Sequence, residues 1–274
     1  MRKARRASWW LGVALCSLGT PYAHAHGDLH EQIAAITKRL QAEPKNAELY
    51  HRRGELERAH RDYDAALRDY ERAGELDPSL DVIFLSRGRA WLEAGKPGLS
   101  CESLSLFLEH HPTHSWGLLL RARARTQLGE RSAAEVDFAR ALAQSEDPAP
   151  DLFLERADNL SAAQRKAEAL QVLEAGIARV GAIVTLHEAA LELEIALGRY
   201  EAALARIDGM LRPMIRTERW LARKADVLDA AGRSEESRGV RLEALRVITG
   251  LPLAKRSVPA MKALEAQLLA ATSH

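Results

Sequence analysis

The sequence contains few cysteines and few aromatic residues. Only 2 of its 274 residues are cysteine, and aromatic residues make up 5% of the chain. Cys16 lies in an N-terminal segment that we predict to be removed, which would leave Cys101 as a single thiol. One cysteine cannot form an internal disulfide, so an exported form of this chain must be held together by the packing of its helices.

The chain also lacks a strong excess of charge of either sign. It has 39 Lys and Arg residues against 38 Asp and Glu residues. Four of the basic residues fall in the first six positions, and without them 35 stand against 38, a net charge near −3. A nucleic-acid-binding protein needs a strongly basic face. The charge balance therefore argues against nucleic acid as a partner.

Familiar catalytic signatures are missing as well. The sequence has no Gly-rich phosphate loop, no Gly-x-Ser-x-Gly and no His-Glu-x-x-His. His110, His111 and His114 flank Pro112, but no cysteine or carboxylate pair completes a zinc set of the usual spacing. Carboxylates and arginines are scattered along the chain and assemble no nucleophile, base and oxyanion site. The sequence thus predicts a protein that is not an enzyme, with no catalytic residues, no metal centre and no cofactor.

The N-terminus has the three parts of a secretory signal peptide. A basic start precedes an apolar run from Trp9 to Leu18, and Ala23-His24-Ala25 forms an Ala-x-Ala site. The run falls short of the ~20 residues that a membrane span needs. We therefore predict a signal peptide over residues 1–25, cleavage after Ala25, a periplasmic or secreted protein and no membrane span in the mature chain. The alternatives are an uncleaved anchor and lipid attachment at Cys16, for which the preceding Leu15 is a poor fit because a small residue is preferred there.

What the sequence does contain is a repeat. The best-kept copy occupies residues 62–78, and weaker copies follow about every 34 residues. A fixed period of this size predicts stacked helix–turn–helix units. The residues that recur at this spacing are Pro78 and Pro112, Gly54 and Gly88, Gly95 and Gly129, and the arginines Arg53, Arg87 and Arg121, which Arg156 follows at 35.

Residues 47–80 carry a recognisable pattern of small residues, large apolar residues and a closing proline, made by Tyr50, Gly54, Tyr63, Ala66, Tyr70, Ala73 and Pro78. This pattern resembles the tetratricopeptide repeat family. The resemblance implies an all-α, right-handed α-solenoid with a capping helix at each end. Its expected parts are an N-terminal cap at 26–46, six repeats at 47–80, 81–114, 115–149, 150–183, 184–217 and 218–250, and a C-terminal cap at 251–274.

The recurring arginines admit two interpretations. Asp69 and Asp137 follow Arg53 and Arg121 by 16 residues, on the paired second helix, where each could accept bidentate hydrogen bonds. That spacing favours a structural ion pair within each repeat. Arg87 and Arg156 have Ser103 and Val172 at the same spacing and lack such a partner. The alternative is a row of guanidinium groups that grips an acidic partner.

The family's geometry implies a concave groove lined by the first helices of the repeats. Leu85, Trp116 and Leu119 would form an apolar anchor for a peptide there, although Trp116 could instead pack between repeats. Some family members bind a C-terminal carboxylate with a Lys/Asn/Arg clamp, but His51 and Glu55 stand where that clamp would begin, so it is not expected. The predicted partner-binding residues are His51, Glu55, Arg58, Leu85, Arg89, Trp116, Leu119 and Arg123, followed in later repeats by the more acidic set Asp151, Asp158, Glu188, Glu192, Asp226 and Asp229.

Taken together, these features predict an exported, non-catalytic scaffold or adaptor that binds a protein or peptide partner through its groove. Two alternatives stay open. A lipid on Cys16 would make the protein a membrane-tethered assembly factor of an envelope complex. Binding of copper by His26 and His30 would make it a metal-handling accessory protein. The sequence does not identify the partner.

Overall fold

A computed structural model describes residues 21–212 and 216–272, and the predicted all-α fold is confirmed over these residues, which contain no strand. Residues 1–20, including Cys16 and most of the predicted signal peptide, lie outside the described residues, as do residues 213–215 and 273–274. Within the two described ranges, no helix is both long and apolar enough to cross a membrane. The chain divides into two compact units, Met1–Lys96 and Pro97–His274.

The described part of the N-terminal unit contains four helices. They are α1 (Pro21–Ala42), α2 (Ala47–Ala59), α3 (Tyr63–Leu76) and α4 (Val82–Glu93). Side-chain caps fix two of the starts: Asn46 accepts from the backbone N–H of Leu49, and Asp62 accepts from that of Ala65. Tyr70 lies at the centre of the core, fully buried between α2 and α4.

The C-terminal unit continues the same helix-pair architecture. Its described helices pack in consecutive hairpins, α6 with α7, α8 with α9, α10 with α11 and α12 with α13, and α13 packs against α15. One core cluster lies between the α10/α11 hairpin and the α12/α13 hairpin, around Leu191, Ile207 and Leu228. The helix bounds are α5 Pro97–His110, α6 Ser115–Gln127, α7 Arg131–Gln144, α8 Pro150–Ala162, α9 Lys166–Val180, α10 Val184–Ala196, α11 Tyr200–Leu211, α12 Glu218–Ala230, α13 Ser234–Thr249, α14 Leu253–Arg256 and α15 Pro259–Thr272.

The turn between the two helices of each helix pair, from α2/α3 to α12/α13, contains one residue in the left-handed backbone conformation. These residues recur every 34 positions, with a single step of 35. Four of them are glycines, which adopt a positive φ without steric cost. The other two are Arg61, with φ 68°, and Gln164, with φ 62°. The full series is Arg61, Gly95, Gly129, Gln164, Gly198 and Gly232.

Small residues allow the helices of a hairpin to approach closely, as the sequence predicts for Gly54 and Ala66. A Cβ atom added at Gly54 would lie 2.6 Å from Cε1 of Tyr70, closer than real Cβ contacts. Gly176 has the same relationship to Phe153, at 2.8 Å. Glycine is therefore required at these two positions because a Cβ atom would collide with a neighbouring ring, whereas glycine is favoured in the turns because the backbone φ is positive there.

Candidate partner-binding surface

Arg53 and Arg121 are structural, as the spacing of 16 residues predicts. Arg53 donates to both carboxylate oxygens of Asp69, each at 2.7 Å, and also to the Thr37 hydroxyl, 16 residues earlier, at 3.2 Å. Arg121 repeats this arrangement with Asp137, at 2.8 and 2.9 Å, and with Ser105, at 3.2 Å. Each guanidinium thus joins three helices within its own unit and is not free to grip an acidic partner.

Arg156 also forms an ion pair, but with an acceptor at a different position. It lacks an acceptor 16 residues later, and its Nε and Nη2 atoms donate instead to Oε1 of Glu135 on the preceding helix, at 2.9 and 2.6 Å. Glu135 is buried, and its other carboxylate oxygen has no hydrogen-bond partner. Arg87 forms no hydrogen bond or ion pair with any of the described residues. The row of arginines is therefore not one uniform structural feature.

We call the helices that would line the predicted groove the first-helix row: α2 and α4 in the N-terminal unit, and α6, α8, α10 and α12 in the C-terminal unit. In the N-terminal unit this row contains a connected polar network. His51 Nε2 lies 2.9 Å from Oγ of Ser86, and Glu55 accepts from the Tyr70 hydroxyl at 2.6 Å and from Arg58 at 3.1 Å. The predicted groove residues His51, Glu55 and Arg58 are thus tied to their neighbours.

Burial and hydrogen bonding shift the titration of this network. Burial lowers the pKa of His51, and the nearby Glu55 carboxylate opposes this only in part. Burial alone would raise the pKa of Glu55, but the hydrogen bonds from Tyr70 and Arg58 outweigh it, and the pKa is lowered. The same burial, together with Glu55, raises the pKa of the Tyr70 hydroxyl. The network therefore holds a neutral imidazole and an ionised carboxylate at neutral pH.

The other predicted residues of the N-terminal unit lie on α4. Arg89 pairs with Glu93 at 3.0 Å, and Glu93 also accepts from Arg58 at 2.9 and 3.0 Å. Leu85 is partly buried. Since Arg58 and Arg89 share one carboxylate, neither cation is unpaired on this surface.

In the C-terminal unit, Trp116 and Arg123 of α6 form the most distinctive surface feature. Trp116 is 40% exposed, and the guanidinium carbon of Arg123 lies 5.4 Å from the centre of its ring. Arg123 is held there by Glu155 of α8, through two hydrogen bonds of 2.7 and 2.8 Å. Leu119, the other predicted apolar anchor on α6, is 8% exposed. α6 is enclosed on several faces, so Leu119 packs in the interior and offers little surface to a partner.

Ion pairs link successive members of the first-helix row. Arg58 of α2 joins Glu93 of α4, Arg123 of α6 joins Glu155 of α8, and Glu192 of α10 joins Arg223 of α12. The partners are 31 to 35 residues apart, which is about one repeat. Sequence reasoning missed these pairs, although opposite charges at one repeat length were a visible signal for them.

The later first helices keep unpaired carboxylates. Asp151, Asp158, Glu188 and Asp226 make no hydrogen bond or ion pair with the described residues. Partial burial raises the pKa of Asp158, with a further contribution from the neighbouring Glu155, and partial burial also raises the pKa of Asp226. Asp229, in contrast, pairs with Arg241. The acidic character predicted for this part of the row is therefore carried by four unpaired groups.

Two cavities open on the C-terminal unit. One, of about 360 Å³, lies between α10 and α12 and is lined by Glu188, Leu191, Glu192, Arg219, Trp220 and Arg223. The other, of about 550 Å³, lies beside α10 and α11 and is mostly apolar, with Val184, Ala202, Ala205 and Gly209 in its lining. Its one cation, Arg206, is already bound by Glu194 and Glu174. Only the first cavity has unpaired charges on its rim.

Among the described residues, no group of three or more His, Cys, Asp or Glu side chains is arranged to hold a metal ion. His114 instead caps α6, because its Nδ1 accepts from the backbone N–H of Gly117 at 3.0 Å. The rings of His111 and His114 pack on Phe107 at 4.6 and 5.0 Å. Burial raises the pKa of the Cys101 thiol, which makes it a poor nucleophile.

Comparisons with known proteins agree with this architecture. Residues 47–80 match the family model of the tetratricopeptide repeat. No curated protein matches the sequence significantly. Among solved structures, a tetratricopeptide repeat protein from Parabacteroides merdae is 19% identical, with 90% of this chain and 94% of that chain covered and a TM-score of 0.55.

Two further structures are similar over shorter ranges. PilW, described as a widely conserved type IV pilus biogenesis factor, is 21% identical, with 69% of this chain and 87% of that chain covered and a TM-score of 0.56. MamA from Desulfovibrio magneticus RS-1 is 12% identical, with 57% and 88% covered and a TM-score of 0.52. At these identities the similarity establishes the fold alone. Residues 47–80 are thus a tetratricopeptide repeat within a chain of tetratricopeptide-like fold.

Proposed function

We propose that this protein is an exported, non-catalytic scaffold that binds a protein or peptide partner through its first-helix row. The observation that carries the proposal is Trp116, a large aromatic side chain that is 40% exposed while Arg123 and Glu155 fix its surroundings. Tryptophan and arginine are enriched among the residues that dominate binding energy at protein interfaces. An exposed tryptophan held beside an arginine has the composition of such an anchor.

The ion pairs between successive first helices support a binding role. Arg58 with Glu93, and Arg123 with Glu155, hold neighbouring first helices in register within their units. A surface that is already ordered loses less conformational entropy when a partner binds. Each pair alone contributes little to stability because its members are partly exposed. Their main effect is therefore to fix the geometry of the surface.

The polar groups of the N-terminal unit are better suited to structure than to catalysis. Ser86 and His51 lie at hydrogen-bond distance, as a nucleophile and its base would. Ser86, however, is only 7% exposed, and Glu55 is engaged by Tyr70 and Arg58. A buried serine that bonds His51 joins α2 to α4 and is poorly placed to attack a substrate.

The export part of the proposal is based on the N-terminal sequence. A basic start, a short apolar run and the Ala23-His24-Ala25 site are the features of a cleaved leader. Intact-mass measurement of the protein recovered from its native host would test this, with an N-terminus at His26 expected. A lipid-modified Cys16 would instead indicate the membrane-tethered assembly factor.

Affinity capture from an envelope extract tests the binding function. We expect Trp116→Ala to weaken capture of the recovered partner about 30-fold or more, the effect of losing ~2 kcal/mol at an interface anchor. Val136→Ala is the matched control, because Val136 is 56% exposed on α7, outside the first-helix row. Recovery of no partner, together with a reproducible catalytic activity, would overturn the proposal.

One observation favours a second candidate function, metal handling. The ring of His30 on α1 lies 4.4 Å from the ring of His60 at the end of α2, so two imidazoles meet in the N-terminal unit. Imidazole nitrogen is a ligand that copper accepts readily. Titration with Cu²⁺ should then show a tight site that His60→Ala weakens. Titration without a tight site would remove this candidate.

A further inference from the structure

The cavity between α10 and α12 combines an apolar floor with a charged rim. Leu191 is 1% exposed and packs with Val227 and Leu228, and Trp220 packs against the same cluster while it remains partly exposed. A volume of about 360 Å³ lies near the lower end of the range for ligand pockets. The cavity is therefore suited to one large apolar side chain of a partner rather than to a folded surface.

Opposite charges face each other across this cavity in two places, one turn of helix apart. Glu192 and Arg223, 31 residues apart, form an ion pair. Glu188 and Arg219 have the same spacing and line the same cavity, but they form no ion pair or hydrogen bond with the described residues. Glu192 and Arg223 thus neutralise each other within the protein, whereas the charges of Glu188 and Arg219 are available to a partner.

The unpaired charges around this opening are mostly negative. On α10 and α12, the two helices that form the cavity, two carboxylates, Glu188 and Asp226, lack a hydrogen bond or ion pair with the described residues, against one such cation, Arg219. Asp226 lies one turn after Arg223 and so near the cavity. Complementary charge favours a positively charged partner here and disfavours acidic peptides and nucleic acid.

We infer that this cavity binds a basic peptide segment of the scaffold's partner, with a large apolar side chain packed on the partly exposed Trp220 and an adjacent Lys or Arg paired with Glu188. The inference rests on the proposed function and names the chemistry of its partner. An extended peptide that crosses from α10 to α12 places a backbone carbonyl within reach of Arg219, which would otherwise repel the basic side chains.

Three labelled nonapeptides test the inference with the full-length protein. The first has a central leucine flanked by two lysines, the second has glutamates in place of the lysines, and the third has alanine in place of the leucine. We expect the first peptide to bind about tenfold or more tightly than either of the others by fluorescence anisotropy, and its preference over the glutamate peptide should shrink as salt increases. Glu188→Gln should weaken its binding about fivefold or more, whereas Glu102→Gln, on the exposed surface of α5, should not.

The indole N–H signals of Trp91, Trp116 and Trp220 locate the site in an NMR titration, after assignment by Trp→Phe substitution. The leucine–lysine peptide should shift the Trp220 signal and leave the Trp91 signal in place. Equal binding of the glutamate peptide, an unmoved Trp220 signal or unchanged affinity in Glu188→Gln would each overturn the inference. A Trp220 signal that instead shifts with protein concentration would assign the cavity to a second copy of the chain, which also overturns it.

The outcome for this cavity is separable from the outcome for the proposed function. If the peptides fail but Trp116→Ala still abolishes capture of the partner, the inference is wrong and the scaffold function stands. If the wild-type protein recovers no partner and shows a reproducible activity, the scaffold function itself is wrong.

Discussion

Arg121 donates two hydrogen bonds, of 2.8 and 2.9 Å, to the carboxylate of Asp137, which is 0% exposed. Arg125 adds a third, at 2.6 Å. A buried acceptor that satisfies two arginines is costly to remove, because both cations then lose their partner in a partly buried site. This relationship makes Asp137 the charged residue on which the fold of the C-terminal unit should depend most.

We expect Asp137→Ala to lower the free energy of unfolding by about 3 kcal/mol or more. Asp69→Ala, in the N-terminal unit, is the matched comparison. Asp69 accepts side-chain hydrogen bonds from one arginine, Arg53, rather than two, so its loss should lower the free energy of unfolding by less. Urea denaturation followed by circular dichroism measures both. A loss below about 1 kcal/mol for Asp137→Ala would mean that water replaces the carboxylate at little cost, against this account.

The turn residue Arg61 should be replaceable with a gain in stability. Its φ of 68° lies in the left-handed region, where a side chain costs about 1–2 kcal/mol and glycine does not. Arg61→Gly should therefore raise the free energy of unfolding, by about 0.5–1 kcal/mol after the larger chain entropy of glycine is subtracted. Thermal denaturation would detect the change.

Arg52→Gly provides the control for this prediction. Arg52 is exposed in the interior of α2, where glycine is unfavourable, so the same substitution should destabilise by about 1 kcal/mol. Opposite signs at residues 52 and 61 are expected. The same sign at both positions would show that the turn conformation does not determine the effect.

Gly54→Ala should destabilise the N-terminal unit by about 1–3 kcal/mol, because its new Cβ would lie 2.6 Å from Cε1 of Tyr70. The matched control is Gly74→Ala on α3, where the added Cβ meets Ile83 Cδ1 at an ordinary 3.8 Å. Removing a helical glycine there should stabilise the protein slightly. Chemical denaturation of both variants checks the pair, and a neutral Gly54→Ala would show that Tyr70 can move aside.

Contacts within one repeat could be predicted from the sequence, whereas most contacts of the partner-binding surface could not. Gly54 with Ala66, and Arg53 with Asp69, were predictable because each pair lies within one repeat, where helix geometry fixes the relative positions. Opposite charges one repeat length apart were a signal for Glu192 with Arg223. The same spacing also holds for Glu188 and Arg219, which do not pair, and the difference depends on how neighbouring repeats are offset, which one sequence does not specify.

The burial of Leu119 and the partner of Arg156 escaped prediction for a similar reason. Helical spacing assigns Leu119 to a face of α6, but it does not say how many neighbours enclose that helix. Arg156 has no acceptor within its own hairpin and takes Glu135 from the preceding one. Contacts between repeats thus determine both the burial of Leu119 and the ion-pair partner of Arg156. The candidate binding site consists largely of such contacts.

Stability should fall in mild acid because of the histidine cap of α6. His114 Nδ1 can accept the Gly117 N–H only while it is unprotonated, and burial, aided by His111, lowers the pKa of His114. A group whose pKa is lower in the folded state stabilises the protein above its unfolded pKa of about 6.5, and this contribution disappears as the pH falls through the folded pKa. The expected loss between pH 7.5 and 5 is about 1 kcal/mol, the typical value of a helix cap.

His114→Asn tests this account, because asparagine caps helices well and does not titrate in this range. The variant should match the wild type at pH 7.5 and exceed it at pH 5 in urea denaturation. His51 also has a lowered pKa, so some acid sensitivity should persist in His114→Asn and decrease further in the double variant with His51→Gln. If His114→Asn follows the wild-type pH profile throughout, the cap is not the titrating element, and the acid response arises elsewhere in the fold.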